Sequence, residues 1–431
     1  MELMPALAIC ASLVIFLAGG VWIGVSLFVS ALIALHFFLD APAGLVLATA
    51  SWGFIDNWTL TALPLFILMG ELLFRTNLSE HIFRALAPWT SSIPGGLLHV
   101  NVLGCGIFSA VCGSSTATTV TVGQITYPEL MRRGYDESMV VGTLAGSGTF
   151  GLLIPPSVMM IVYGFIADTS IVKLFIAGIL PGILLMGLFS AYIVGWALLN
   201  PSKAAPPEPP MPLMQKLWLS RYLFPVVVLI VGLMLVMYFG IATATEAAAV
   251  GVLYALLMLL VTRTFTWKHF LDAMLSSART SCMLMFILIG SAYFTQAMGF
   301  SGVPDAMGNW VSEQGLSPIG LIFALTILYI LLGTLLDGMS MVVLTASTVL
   351  PMIQAAGIDK VWFGVFIILV VEMSLISPPV GLNLYVLQSF CKRAADGYVF
   401  RCTIPFFFLM VLAVAIITAF PEIVLFLPGK I

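Results

Sequence analysis

Apolar residues in this chain come in long runs, and the runs barely alternate with polar positions. Continuous apolar stretches at roughly 4–19, 21–38, 58–75, 138–168, 171–199, 219–239, 243–262, 276–298, 361–391 and 402–427 predict helices. Most reach the ~20 residues that a helix needs to cross a bilayer. The alternating ~10-residue segments of a membrane β-barrel are absent from the pattern. Two further stretches, 95–128 and 317–351, are apolar at both ends and broken in the middle by a polar or glycine-containing patch. The first break reads VCGSSTATTV (111–120) and the second LLDGMSMVVL (335–344). A break of this kind predicts a re-entrant hairpin, since backbone turns at membrane depth only where protein or water satisfies its polar groups.

Composition sharpens the class. Of 431 residues, 61% are hydrophobic and 8% charged, against the quarter or so that is charged in a soluble domain. The reading is an all-α polytopic membrane protein. No basic n-region precedes the apolar start MELMPALAIC, so the first helix rather than a cleavable signal peptide is expected to direct insertion. Cys10, Cys105, Cys112, Cys282, Cys391 and Cys402 lack CxxC spacing and read as small packing residues. His36, His81, His99 and His269 give no transition-metal spacing. No nucleic-acid partner is expected.

Charge fixes the layout. With 95–128 as a hairpin entered from the cytoplasm, the cytoplasmic segments hold Arg75, Arg84, Arg132, Arg133, Lys203, Lys216, Arg221, Arg263, Lys268, Arg279, Lys392, Arg393 and Arg401, 13 of the 16 basic residues. Reading either hairpin as a single span scrambles this positive-inside segregation. Both termini then lie outside, and the second hairpin opens from the outside.

The proline-rich segment at 201–217 is the one clear linker, expected to be extended and solvated. It separates two halves that match each other. At an offset of 220, Pro5 meets Pro225, Gly20 meets Gly240, and FILMG (66–70) meets FILIG (286–290). At 223, Pro128 meets Pro351, Gly134 meets Gly357, Asp136 meets Asp359, and Pro155-Pro156 meets Pro378-Pro379. The expected division is a first repeat over 1–200, the linker 201–217, a second repeat over 218–401 and a C-terminal helix over 402–431. Within the repeats, scaffold helices occupy about 1–90 and 218–300. A hairpin with a broken helix occupies about 91–170 and 301–391, and 171–199 connects the halves. The hairpins open to opposite sides, so the repeats are inverted, which is the architecture of secondary transporters.

The chemistry follows from the breaks. The offset of 223 lays Gly113-Ser114-Ser115-Thr116 against Leu336-Asp337-Gly338-Met339. Hydroxyls and backbone carbonyls at two matched tips suit a hard cation such as Na⁺, although small residues at a tip also serve close helix packing. Asp337 is a charge at membrane depth, read both as a cation ligand and as a helix N-cap, with a proton-linked switch as a further role. The PP pairs break helices and free carbonyls, so backbone oxygens near Gly148, Gly151 and Ile154, and near Ser374 and Ser377, are expected to complete two oxygen cages. Ser115, Thr116 and Asn383 are candidate substrate contacts, Asn383 alternatively bonding a neighbouring helix. Glu71 and Glu246 read as structural, and Glu372 is open. The pieces 44–52, 79–88, 267–274 and 303–312 read as amphipathic helices in the membrane interface.

SAVCGSSTATTVTVGQITYPELMRRGYD, LIPPSVMMIVYG, ATATEAAAVG, LDGMSMVVLTASTVLPMIQAAGID and EMSLISPPVGLNLYVLQ resemble, in the same order, motifs of the large membrane subunit (DctM/SiaM-like) of TRAP, or tripartite ATP-independent periplasmic, transporters. The resemblance covers essentially the whole chain. It implies a bacterial inner-membrane protein that uses Na⁺ to import an organic acid, of the C4-dicarboxylate or sialic acid class. It implies a periplasmic substrate-binding protein, a separate small four-helix membrane subunit and an elevator-type transport domain moving within a scaffold. It carries the sodium sites onto Ser114, Ser115, Thr116, Asp337, Gly338 and the PP segments, including Pro156 and Pro379. Cys112 stands where the family has a serine, so that side chain supplies no oxygen. No cofactor is implied beyond Na⁺ as coupling ion. A stand-alone Na⁺/organic anion symporter or exchanger is the alternative. An intramembrane enzyme lacks a metal cluster or convincing catalytic dyad, and a channel has less reason for inverted repeats.

Overall fold

Each described element is helical, as lipid demands of a chain that must satisfy its backbone internally. The computed structural model describes residues 3–39, 41–76, 78–203, 211–314, 317–333, 336–378, 381–391 and 397–431. The first half runs α1 (Leu3–Ala18), α2 (Ile23–Phe37), α3 (Ala43–Ile55), a 3₁₀ turn at Trp58–Thr61, α4 (Ala62–Phe74), α5 (Leu78–Thr90), α6 (Leu98–Cys112), α7 (Ser115–Arg132), α8 (Glu137–Gly148), α9 (Phe150–Leu153), α10 (Val158–Ile166) and α11 (Ile171–Leu199). The second runs α12 (Leu213–Ser220), α13 (Phe224–Tyr238), α14 (Ala244–Val261), α15 (Trp267–Phe300), α16 (Val303–Glu313), α17 (Pro318–Gly333), α18 (Gly338–Ala355), α19 (Lys360–Ser374), α20 (Leu382–Phe390), α21 (Tyr398–Ala419) and α22 (Glu422–Leu425), then a 3₁₀ turn. Among the described residues, five helices are long and apolar enough to cross a membrane, or up to eight if each bent pair is one span.

The internal repeat is visible in backbone detail. Gly20 and Gly240 both take left-handed φ, as do Gly134 and Gly357. Ser114 and Asp337 are the N-caps of α7 and α18, and Asp136 and Asp359 those of α8 and α19. Pro128 and Pro351 lie inside α7 and α18. The first broken helix is α8–α9 with α10, bent by 43°. In the second half α19 stops at Ser374 and α20 starts at Leu382, so the predicted 361–391 stretch is two helices rather than one.

Several sequence expectations are corrected. The 267–274 piece is not a separate interfacial helix. It is the start of α15, a continuous 34-residue rod of about 51 Å. Thr266 caps its start, and no glycine or proline interrupts it before Gly290. Its polar side is used for packing, since Ser276 Oγ donates to Glu71 Oε1 (2.7 Å) and Ser277 Oγ to the Pro64 carbonyl (3.3 Å), joining α15 to α4. The linker is helical from Leu213, because the residues after Pro212 are good helix formers. Residues 204–210 lie outside the described residues. The C-terminal helix begins at Tyr398 rather than 402, and Pro421 ends the predicted 402–427 run early, at Ala419.

Candidate functional site

The first hairpin turns in two residues. Gly113 closes α6 at φ +61°, a conformation that favours glycine, and Ser114 is extended. The Ser114 hydroxyl accepts a long bond, 3.5 Å, from the Ala117 N–H. Ser115, the first residue of α7, is buried and Thr116 half-buried. The carbonyls of Ser114 and Ser115 accept the hydroxyls of Thr118 (2.8 Å) and Thr119 (2.9 Å).

The first broken helix presses on this tip without side chains between. A β-carbon at Gly151 would stand 2.3 Å from the Ser115 nitrogen, and one at Gly148 would stand 1.9 Å from Thr119 Oγ1. Pro155 and Pro156 cannot return N–H groups to the carbonyls one turn back. One of these is not free, because Ser157 Oγ donates to the Leu152 carbonyl at 2.6 Å. Ile154, extended, ends α9, and its side chain lies against Gly106 and Gly182.

The second tip is built differently. Asp337 caps α18, its carboxylate accepting the Ser340 N–H (3.2 Å) and the Ser340 hydroxyl. Asp337 itself is exposed, whereas Gly338 beside it is buried against Val371 and Met159. At the second break the expected cage is partly filled from within. The Ser374 carbonyl accepts both the Ser377 N–H (3.2 Å) and the Ser377 hydroxyl (3.0 Å), and Ser374 Oγ donates to the Val371 carbonyl (2.6 Å). Asn383 is fully buried, and among the described residues neither end of its amide has a partner. Pro379 lies outside the described residues.

The tips therefore meet the broken helix of the other half. Gly338 reaches α10, and Ser115 reaches α19. The second contact runs through Glu372, which the sequence reading left open. Glu372 Oε1 accepts the Ser115 hydroxyl at 2.5 Å and the Leu152 N–H at 2.8 Å. The signal was in the sequence: Glu372 is the only ionisable residue between Lys360 and Lys392 apart from Tyr385 and Cys391, and an acid within an apolar span is a functional candidate in its own right.

A cavity of about 290 Å³ lies where these parts face α4 and α15. Ile67, Gly70, Glu71 and Phe74 of α4 and Thr280 and Leu284 of α15 form one wall. Cys112, Gly113, Ser114 and Ala117 of the first hairpin, with Leu152, Val158 and Met339, form the other. Glu71 also pairs with Arg75 at 3.5 Å. Glu246 shares a capping box with Thr243 at the start of α14. Among the described residues no cluster of His, Cys, Asp and Glu could hold a metal ion.

Comparisons with known proteins agree with this architecture. The sequence profile of the family described as "Tripartite ATP-independent periplasmic transporter, DctM component" matches residues 10–423. The chain is 32% identical over 375 residues to the C4-dicarboxylate TRAP transporter large permease protein DctM of Pseudomonas aeruginosa, covering 87% of each chain. It is 33% identical over 376 residues to the ectoine/5-hydroxyectoine TRAP transporter large permease protein UehC of Ruegeria pomeroyi, covering 86% of each. Among solved structures, Neisseria gonorrhoeae MtrF, described as illuminating a class of antimetabolite efflux pumps, shares the fold at a TM-score of 0.60 and 12% identity over 88% of this chain and 82% of MtrF. A matching profile over nearly its whole length places this hairpin-bearing chain in the DctM component family of tripartite ATP-independent periplasmic transporters.

Proposed function

We propose that the chain is the large permease of a sodium-coupled importer of an organic acid, of the C4-dicarboxylate or sialic acid class, working by an elevator mechanism in a bacterial inner membrane with both termini periplasmic. A periplasmic binding protein delivers the acid, and a separate small four-helix subunit completes the membrane part. The observation that carries this reading is the meeting of each hairpin tip with the opposite half's broken helix, beside a cavity against α4 and α15.

In this reading Na⁺ binds at the tips, among the oxygens of Ser114, Ser115, Thr116 and Asp337 and the backbone of the breaks, and orders both hairpins. The acid binds between them, against hydroxyls of the first tip and the amide of Asn383, whose buried and unpartnered ends call for a polar contact. The unit formed by α6–α10 and α17–α20 then slides past α4 and α15 as a body, and the cavity between the two is the slip surface. Reconstitution of the chain with its small subunit and binding protein in proteoliposomes tests this. Uptake of the acid should require both an inward sodium gradient and the binding protein. Uptake indifferent to sodium removes the coupling, and uptake without the binding protein removes the tripartite reading.

A further inference from the structure

Among the described residues Glu372 is the only buried acidic side chain, and it is fully buried. Both contacts at Oε1 come from donors, the arrangement an ionised carboxylate accepts. The first turn of α7, which carries one of these donors, also offers a helix N-terminus that favours negative charge. Oε2 is buried and has no hydrogen-bond partner among the described residues. None of the ion pairs among the described residues involves Glu372. A buried carboxylate half satisfied in this way is costly to keep ionised, and a cation at the open oxygen offsets that cost.

The surroundings supply the rest of a coordination shell. Ser115 gives its proton to Oε1 and keeps its lone pairs, and the backbones of Ser114, Ser115 and Gly151 converge within van der Waals distance of one another. The repeat register adds a second argument. At the offset of 223, Ser114 stands opposite Asp337 and Thr149 opposite Glu372, so the first half has hydroxyls where the second has carboxylates. Asp337 stays with its own tip, whereas Glu372 crosses to the other one. Each tip is thereby served by one carboxylate, and both acids come from the second half.

We infer that Glu372 Oε2, together with the Ser115 hydroxyl, completes a site for a monovalent alkali cation at the first hairpin tip. The inference rests on the sodium-coupled reading and names the one charged ligand of its first site. It also ties the two halves: Glu372 stands at the end of α19, immediately before the 375–381 break. Filling the first site therefore bears directly on the second broken helix.

The test uses the full chain reconstituted with its partners, uptake measured against sodium concentration, and equilibrium ²²Na⁺ binding to the purified protein. Glu372→Gln keeps the shape and an amide oxygen to accept the same two hydrogen bonds. It should raise the sodium concentration for half-maximal uptake by about tenfold or more and lower the sodium bound per chain, while the substrate KM at saturating sodium stays unchanged. Glu372→Asp, which keeps the charge, should recover part of the loss. If the glutamine variant does not fold, Glu372→Asp and Ser115→Ala are read by the sodium curve alone, each expected to be right-shifted. A sodium-dependent wild type whose curve superimposes on that of the variants overturns the Glu372 site alone. A wild type that transports without regard to sodium overturns the coupled reading, and the Glu372 site with it.

Discussion

At the first hairpin tip Ser115 gives its hydroxyl to an acid from the other half of the chain, and its backbone is pressed by Gly151 of the broken helix. At the second tip Asp337 turns its carboxylate back on Ser340 of its own helix, and Tyr329 and Thr345 bond across the two arms at 2.6 Å. The acid serving the first tip comes from another element, whereas the acid of the second tip bonds within its own helix. The second hairpin is also tied to α15, where Ser291 donates to the Val343 carbonyl at 3.0 Å. The residue matching Ser291 in the first half is Glu71, which lines the cavity and bonds to Ser276 and Arg75 instead of to a hairpin. Equivalent positions in a duplicated fold have thus diverged from holding a hairpin to facing the space beside one.

The largest effect should come from filling the glycine contact at the first tip, where the neighbour is backbone. A β-carbon at Gly151 meets backbone, the Ser115 nitrogen at 2.3 Å, and backbone cannot turn aside. Gly151→Ala should cost about 1–3 kcal/mol or more and abolish uptake. At the second tip a β-carbon on Gly338 meets the Val371 side chain, also at 2.3 Å, which has rotamers to try. Gly338→Ala should lower the thermal midpoint of the purified protein by less. Equal losses in a melting series would show that both tips are held by their surroundings.

The same contrast explains what the sequence could and could not reveal. The hairpins were legible because a polar patch inside an apolar run has few explanations in lipid. The repeat was legible because glycines, prolines and N-cap aspartates keep their frame. Glu372 was visible as an acid in an apolar span, but its role depends on Ser115, 257 positions away, and no local pattern records that pairing. Local reading was incomplete in two other places for an identifiable reason. Trp267, Lys268 and Asp272 made the start of α15 look like an interfacial piece, although nothing in its backbone requires a stop. The carbonyls of Leu152 and Ser374, expected to face an ion, are bonded by the hydroxyls of Ser157 and Ser377, so proline's effect on the ladder was foreseen and the neighbouring serines' response was not.

Asp337 sharpens the comparison next, because cap and ligand roles separate by substitution. Asparagine caps as well as aspartate, whereas alanine loses the cap at about 0.5–2 kcal/mol. Asp337→Ala should therefore lose both stability and sodium-dependent uptake. Asp337→Asn should keep its thermal midpoint and lose uptake at low sodium. Normal uptake by the asparagine variant at low sodium would leave Asp337 as a cap alone and place the whole charge requirement on Glu372.

The smallest effect belongs to Ser114, and its smallness is informative. It is the N-cap that matches Asp337, but the bond from Ala117 is long, at 3.5 Å, where Asp337 holds Ser340 through both N–H and hydroxyl. If the first tip were self-closing like the second, removing this cap would cost as much as removing Asp337. If Glu372 and Gly151 hold it from outside, Ser114→Ala should cost only about 0.5 kcal/mol, the low end for an N-cap. The sodium curve is the finer reading. Loss of a neutral oxygen beside an intact Glu372 should shift the half-maximal sodium concentration less than Glu372→Gln does. A Ser114→Ala midpoint as low as that of Asp337→Ala would reverse the comparison, making the first tip a cap-dependent turn and Glu372 an accessory to it.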